Sequence, residues 1–337
     1  MQIAVIGCGI IGLTTALVLC EAGHSVQLYG RARTPCTTSD RAAAIWWPDW
    51  AAEPAYLTPT YRQRVVQWAR AAWACWQQYQ SDGRYGIRPE RCHLFYAERP
   101  DDALVAAVVA DSQVHYAPEL PGPLCWHWSF DSLLLEMPKV MPQLTADVEA
   151  AGCPIRERTF SRLEELYALD VDLVVNCTGL GSRELVGDRA LTPIRGQLLH
   201  LTPQPLPYKL TAQWQGRSIY WMARADALLL GGSYEKGVNI PLPTAQECTA
   251  IWAAQQSWIA AGAAGLPVPR LKPDAIIGYS AGLRPYRVEG VCLEAVTTPS
   301  CARPHAMIHN YGHGGCGVSL AWGCAEEVVT LAHSLMA

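Results

Sequence analysis

The chain opens Ile3-Ala4-Val5-Ile6-Gly7-Cys8-Gly9-Ile10-Ile11-Gly12, and this stretch decides the fold. Four apolar residues in a row fit a strand covered on both faces. The glycines that follow are spaced G-x-G-x-x-G. Gly7 allows a tight turn, Gly9 lets a pyrophosphate approach the main chain, and Gly12 lets the following helix pack close to the strand. That helix runs through Leu13 to Cys20 and stops near Gly23. Its free N–H groups and partial positive charge, together with Ile10 and Ile11, face the phosphates. Ser25 to Tyr29 alternates and reads as the second parallel strand. A nucleotide fold of this kind usually ends that strand on an acid for a ribose hydroxyl. Gly30 and Arg31 stand there instead, so Arg31 and backbone groups are the expected ribose contacts. Without a Lys or Arg ahead of the apolar run, and with ordered glycines inside it, the N-terminus reads as strand and helix rather than a targeting segment.

Bulk properties narrow the function. The chain has 337 residues, half of them hydrophobic and 17% charged, enough for two modules with a sizeable core. Lys and Arg total 26 against 30 Asp and Glu, for a net charge of −4, which lacks the basic field that nucleic acid demands. The 13 cysteines include no C-x-x-C pair, so they read as buried thiols in a reducing compartment, with no metal site expected. No segment suits a bilayer span. The tail Ser334-Leu335-Met336-Ala337 is not a peroxisomal signal, so a cytoplasmic location is expected.

Further along, Arg62 to Tyr79 has a helical apolar stripe of Val65, Val66, Ala69, Trp73 and Trp76. Phe130 to Ala151 reads as one long helix, and Leu173 to Cys177 as a buried strand. Gly196 to Leu201 and Ala227 to Gly232 read as strands of a second sheet, Glu247 to Ala261 as a helix. Gly317 to Leu335 reads as a helix entered from a glycine-rich turn. Without repeats or a low-complexity linker, the expected class is α/β: a Rossmann-like FAD-binding domain interleaved with an α+β substrate domain on a mixed or antiparallel sheet. The expected division gives 1–46, 130–195 and 275–337 to the cofactor domain, and 47–129 and 196–274 to the substrate domain.

The run His309-Asn310-Tyr311-Gly312-His313-Gly314-Gly315-Cys316-Gly317-Val318-Ser319-Leu320-Ala321-Trp322-Gly323 resembles the C-terminal signature of the D-amino-acid oxidase family. Four further segments resemble that family in the same order. They are Thr37-Thr38-Ser39-Asp40 with Ala42-Ala43-Ala44-Ile45-Trp46, then Val175-Asn176-Cys177-Thr178-Gly179, Arg195-Gly196-Gln197 and Gly282-Leu283-Arg284-Pro285. The resemblance spans nearly the whole chain. It implies an FAD cofactor held by Gly7, Gly9, Ile10, Ile11, Gly12, Arg31, Thr37, Thr38, Ser39, Ala43, Ala44, Ile45, Phe160, Thr178, Gly179 and the helix entry Gly314 to Ser319. The N-terminus of that last helix can stabilise negative charge on a reduced flavin.

For substrate, the resemblance implies that Arg284 grips an α-carboxylate with two parallel hydrogen bonds, with Tyr220 donating to the same group and Gly315 beside it. Trp47 stands where the family has glutamine, giving a larger and more apolar wall. Near Gly216 the mammalian members carry a lid tyrosine that this chain lacks. The implied reaction is oxidative deamination of a D-amino acid: hydride passes from the α-carbon to flavin N5, water hydrolyses the imino acid, and dioxygen becomes hydrogen peroxide. No side chain is assigned as acid or base. A glycine or sarcosine oxidase, an NAD-dependent dehydrogenase and a non-catalytic flavin protein are the rivals, and a homodimer is admissible. Trp46, Trp47 and Trp50 point to an apolar or aromatic substrate side chain, or equally to a core.

Overall fold

In the computed structural model, which describes residues 1–298 and 305–335, the chain builds two sheets in alternation. In order the elements are β1 (Gln2–Ile6), α1 (Ile10–Glu21), β2 (Ser25–Gly30), α2 (Pro59–Ser81), β3 (Ile87–Tyr96), α3 (Ala103–Ala106), β4 (Gln113–Tyr116), β5 (Trp126–Leu135), α4 (Met137–Ala150), β6 (Ile155–Glu157) and α5 (Leu163–Tyr167). There follow β7 (Leu173–Asn176), α6 (Ser182–Leu185), β8 (Leu191–Leu201), β9 (Lys209–Trp214), β10 (Arg217–Ala223), β11 (Leu228–Gly231), β12 (Glu235–Lys236), α7 (Ala245–Ala260), β13 (Ile276–Arg287), β14 (Cys292–Thr298), β15 (His305–Tyr311) and α8 (Gly317–Ser334).

The smaller sheet has the order β14-β15-β7-β1-β2-β6, parallel except for β14 at its edge. Its central strands are buried on both faces, which is why they read as unbroken apolar runs. One face is covered by α1, α4 and α8, and α2 packs across α8. Gly323 makes that crossing possible, because a Cβ there would come within 2.3 Å of the Trp68 Cα. The other face is covered by Phe160, Leu163, Leu166 and Leu185.

The larger sheet has nine strands, in the order β12-β8-β11-β10-β9-β3-β5-β4, with the twelve-residue β13 paired to β8 apart from a register shift between Ile276 and Gly278. All its pairings are antiparallel except β3 with β9. Its outer face packs on α7 through Trp221, Trp214, Ile251 and Trp258. Its inner face carries Leu134, Leu198, Tyr220 and Met222, which pack against Ala43 and Ile45.

Three placements differ from the sequence expectation. Phe130 to Ala151 is not one helix: strand β5 runs to Leu135 and α4 starts at Met137, with Pro138 in its first turn. The strand is buried on both faces at Leu133, Leu134 and Leu135, so the period-two signal is erased. Helix α2, within 47–129, lies on α8 beside the smaller sheet, and β13, within 275–337, belongs to the larger one. Among the described residues no helix is long and apolar enough to cross a membrane, and no His, Cys, Asp and Glu cluster could hold a metal.

Candidate functional site

The turn from β1 into α1 is fixed by contacts that leave no room for side chains. Gly7 has φ +125°, and a Cβ on it would sit 2.4 Å from the Cys177 carbonyl oxygen. A Cβ on Gly12 would sit 1.7 Å from the Gly7 oxygen. At Gly9 the same test meets only Ser39 Oγ, at 3.2 Å, so this side of the turn stays open. Ser39 accepts the Ile10 N–H at 2.9 Å and so joins the 37–39 loop to the start of α1. Asp40 shapes that loop by accepting from the Thr37 N–H at 2.8 Å and the Thr37 hydroxyl at 2.6 Å. Thr38 begins the helical turn Ser39–Arg41 as its cap.

The end of β2 explains the missing acid. A Cβ on Gly30 would come within 2.5 Å of Cys8 Sγ, so the thiol fills the space a larger residue would need. Arg31, next along, is exposed. Phe160 lies at the same end of the sheet, edge-on to Tyr29 with ring centres 5.5 Å apart, and Arg158 stacks over it at 4.5 Å. On the neighbouring strand end, buried Asn176 accepts from the Thr178 N–H at 3.1 Å and its hydroxyl at 2.8 Å, which leads the chain into Gly179.

Helix α8 begins beside α1. A Cβ on Gly317 would lie 3.6 Å from Ile10 Cγ2, so two helix N-termini converge at one place. First-turn N–H groups have no acceptor within their own helix and make such a junction electropositive. The side chains there are committed elsewhere. Cys316 Sγ accepts the Asp49 N–H at 3.3 Å, Ser319 Oγ accepts the Trp47 N–H at 3.0 Å, and Val318 is buried. What Gly314 to Ser319 can offer a ligand is therefore their main chain. Ala44 accepts from the Leu135 N–H and Ile45 bridges to Leu134, which ties the 43–47 segment to the inner face of the larger sheet.

That inner face carries the remaining expected residues. Tyr220 pairs with Gly231 across β10 and β11, and its ring lies on that glycine: a Cβ there would meet Tyr220 Cζ at 2.0 Å. The Arg284 guanidinium lies on Gly196 in the same way, 2.4 Å from a Cβ built there. The Arg284 aliphatic stem passes 3.7 Å from the corresponding point on Gly315. Arg284 Nη1 is buried without a hydrogen-bond partner, and no carboxylate bridges to this arginine among the described residues. An enclosed guanidinium nitrogen left unpaired is costly unless a ligand supplies the acceptor. Arg287, by contrast, is bound to Asp188 at 2.8 Å.

Trp46, Trp47 and Trp50 do not form one wall. Trp46 is fully buried in the core against Trp73, and Trp50 bonds to Asp101 at 2.8 Å. Trp47 alone meets the inner face of the sheet, where the Lys209 ammonium sits 4.1 Å from its ring centre. Lys209 is almost wholly buried, and burial pulls its pKa down to about 8. His313 is buried as well, and desolvation lowers it to about 3, so it is neutral at ordinary pH. At the place of the lid, Gln215 and Gly216 form a two-residue turn with φ +49° and +76°, closing β9 and β10 as a tight hairpin. Sequence reasoning missed Lys209 and missed Tyr234, an exposed residue whose ring lies 5.9 Å from the Arg284 guanidinium carbon.

Comparison with known proteins identifies the family of the chain. The DAO family model, described as FAD dependent oxidoreductase, matches residues 2–331. A D-amino-acid oxidase of Streptomyces coelicolor is 33% identical over 98% of this chain and 96% of its own length. A D-amino-acid oxidase of Rubrobacter xylanophilus is 33% identical over 97% and 94%. Among solved structures, glycine oxidase from Bacillus cereus superposes with a TM-score of 0.70 at 16% identity, covering 98% of this chain and 97% of that one.

Proposed function

The chain belongs to the DAO family of FAD-dependent oxidoreductases, and from that footing we propose that it oxidises D-amino acids to 2-oxo acids. The observation that carries the reading is Arg284 Nη1, buried and unpaired over Gly196, next to Tyr220 on the same sheet face. Water, dioxygen and the amino acid are consumed; 2-oxo acid, ammonia and hydrogen peroxide are formed. FAD supplies the two-electron acceptor.

The residues suit that cofactor. The open side of Gly9, the Ser39 link to Ile10 and the paired starts of α1 and α8 would hold its phosphates and its ring through main-chain N–H groups. Gly7, Gly12, Ile11, Thr37, Thr38, Ala43, Ala44, Ile45, Thr178 and Gly179 would line the rest, with Arg31 and Phe160 at the adenosine end. Arg284 and Tyr220 bind the α-carboxylate and fix the rotation of the α-carbon. Tyr220 stays protonated, since burial raises its hydroxyl to about 12, so it donates rather than abstracts. His313, neutral and buried, moves no proton at neutral pH. Orientation and fixed dipoles are thus the chain's main contribution to the rate.

The tight 215–216 hairpin and the structural likeness to glycine oxidase favour glycine or sarcosine as a second reading. An anaerobic titration of the bound flavin with single D-amino acids, L-amino acids, glycine and sarcosine, paired with peroxide release in air, separates the two. Bleaching by D-amino acids is expected. Bleaching by glycine and sarcosine alone transfers the assignment to the second reading, and no bleaching by any amine removes both.

A further inference from the structure

Arg284, half-buried with its Nη1 enclosed, is not the only base on the inner face that lacks an acid among the described residues. The buried basic side chains of the described residues are Arg195, Arg224 and Lys209. Arg195 is bound to Glu235 and Arg224 to Asp226, each at 2.6 Å. Among the described residues Lys209 forms no ion pair. Its ammonium donates to Thr211 Oγ1 at 2.5 Å and rests against the Trp47 ring. The carboxylate on the adjacent strand, Glu90, is already held by Arg88 at 2.6 Å. An ammonium has three donors and no acceptor, so one hydroxyl leaves it short. Buried charges are ordinarily paired, because desolvation costs more than a cation–π contact returns.

Register places this unmet charge opposite Arg284. Thr211 is the direct cross-strand neighbour of Tyr220, so the two share the inner face, and Lys209, two residues earlier, shares it as well. Across the sheet the order is Arg284 lying over β8, then β11 with Gly231, then Tyr220 on β10, then Thr211 and Lys209 on β9. Three strand spacings of ~4.8 Å separate β8 from β9, about 14 Å before the side chains lean inward. On the reading above, the α-carboxylate of an amino acid would lie on Arg284 and Tyr220, at one end of this row. We propose that the site is specific for D-amino acids whose side chain ends in a carboxylate, with Lys209 and Thr211 binding that distal acid beneath Trp47. This rests on the D-amino-acid reading above for its Arg284 end. It replaces the apolar or aromatic side chain suggested by the tryptophans with an anionic one.

The test uses the flavin-loaded enzyme and two non-oxidisable ligands of equal length, glutarate and pentanoate, read by the perturbation of flavin absorbance. Turnover of D-glutamate against D-glutamine is measured in parallel. Glutarate is expected to bind at least tenfold tighter than pentanoate, and kcat/KM to favour D-glutamate over D-glutamine by a similar factor. In Lys209→Met both ratios should fall by tenfold or more, and Lys209→Arg should restore part of them. Equal affinity for the two ligands, or ratios unmoved in Lys209→Met, overturns the proposal. If the variant does not fold, the wild-type ratios alone decide, with a value near one overturning it. A glutarate preference without oxidation of any D-amino acid keeps the distal acid site and removes the oxidase reading. Oxidation of neutral D-amino acids without an acid preference does the reverse.

Discussion

Replacing Gly196 with alanine should disable the carboxylate anchor without touching it. The Cβ would come to 2.4 and 2.6 Å from the two terminal nitrogens of Arg284, closer than real Cβ contacts allow. Something must yield, and the cheapest movement is the tip of a flexible arginine. Gly196 does not need a left-handed backbone, and alanine in a strand is favoured over glycine by roughly 0.5–1 kcal/mol. That gain offsets the ~1 kcal/mol of forcing Arg284 off its rotamer, so the fold should lose little stability. Function is another matter. Tilting the guanidinium breaks the two parallel hydrogen bonds to an α-carboxylate, and a charged hydrogen bond contributes about 1.5–3 kcal/mol. At 1.4 kcal/mol per decade, kcat/KM should drop by roughly 10- to 150-fold. The assay is steady-state peroxide release with the best D-amino acid, beside a thermal melt and a flavin spectrum. A variant within threefold of wild type in kcat/KM would refute the placement of the carboxylate on Arg284. A loss of activity explained by loss of flavin would refute the expectation that the substitution spares the fold.

The other expectations are direct. Arg284→Ala should retain flavin while raising KM steeply, by about 2–5 kcal/mol in transition-state binding, checked by steady-state kinetics and by the absorbance of the purified protein. Gly12→Ala, whose Cβ would overlap the Gly7 carbonyl oxygen at 1.7 Å, should yield protein that is colourless or insoluble, checked by flavin content after purification. Glu235 is held near pKa 2, chiefly by its hydrogen bond to Arg195, against an ordinary value of 4.5. A depressed carboxyl stabilises the fold above its unfolded pKa, so this contribution is whole above about pH 4.5 and disappears as the pH falls towards 2. Urea midpoints should therefore drop between pH 5 and 3 more steeply in the wild type than in Glu235→Gln, and parallel slopes would contradict it.

How much of this was legible beforehand depended on whether a residue's reason was local. The turn at Gly7, Gly9 and Gly12 could be read because Gly7 and Gly12 answer to contacts within the same strand–helix unit or at the end of the neighbouring strand, while Gly9 meets only the tip of Ser39. The entry to α8 was legible for the same reason. Strand β5 was not, because Leu133 to Leu135 are buried on both sides and carry no period. The better signal was Pro138 in the first turn of α4, which marks a helix start just after the strand. Gly30 looked like a missing acid, and only the packing of Cys8 against it supplies the reason. Lys209 was invisible for a further reason: in sequence it is one lysine among ordinary strand residues, and its meaning comes from Trp47 and the absence of a facing carboxylate.

The inner face of the larger sheet also shows why glycine and long polar side chains occur together there. A β-strand sends alternate side chains to the same face, so a bulky residue at 196 or 231 would occupy the layer now filled by Arg284 and Tyr220, where the proposed substrate would lie. With glycine at both positions, Arg284 and Tyr220 lie flat along the sheet instead of standing on it, and their polar ends come within reach of one small anion. The same flatness removes their water, which raises the cost of leaving Arg284 unpaired and so strengthens its attraction for a carboxylate. On the proposed reading, specificity for an acid at one end would follow from the backbone bed and not from the arginine alone. A lysine in the same desolvated layer three strands further on is subject to the same rule.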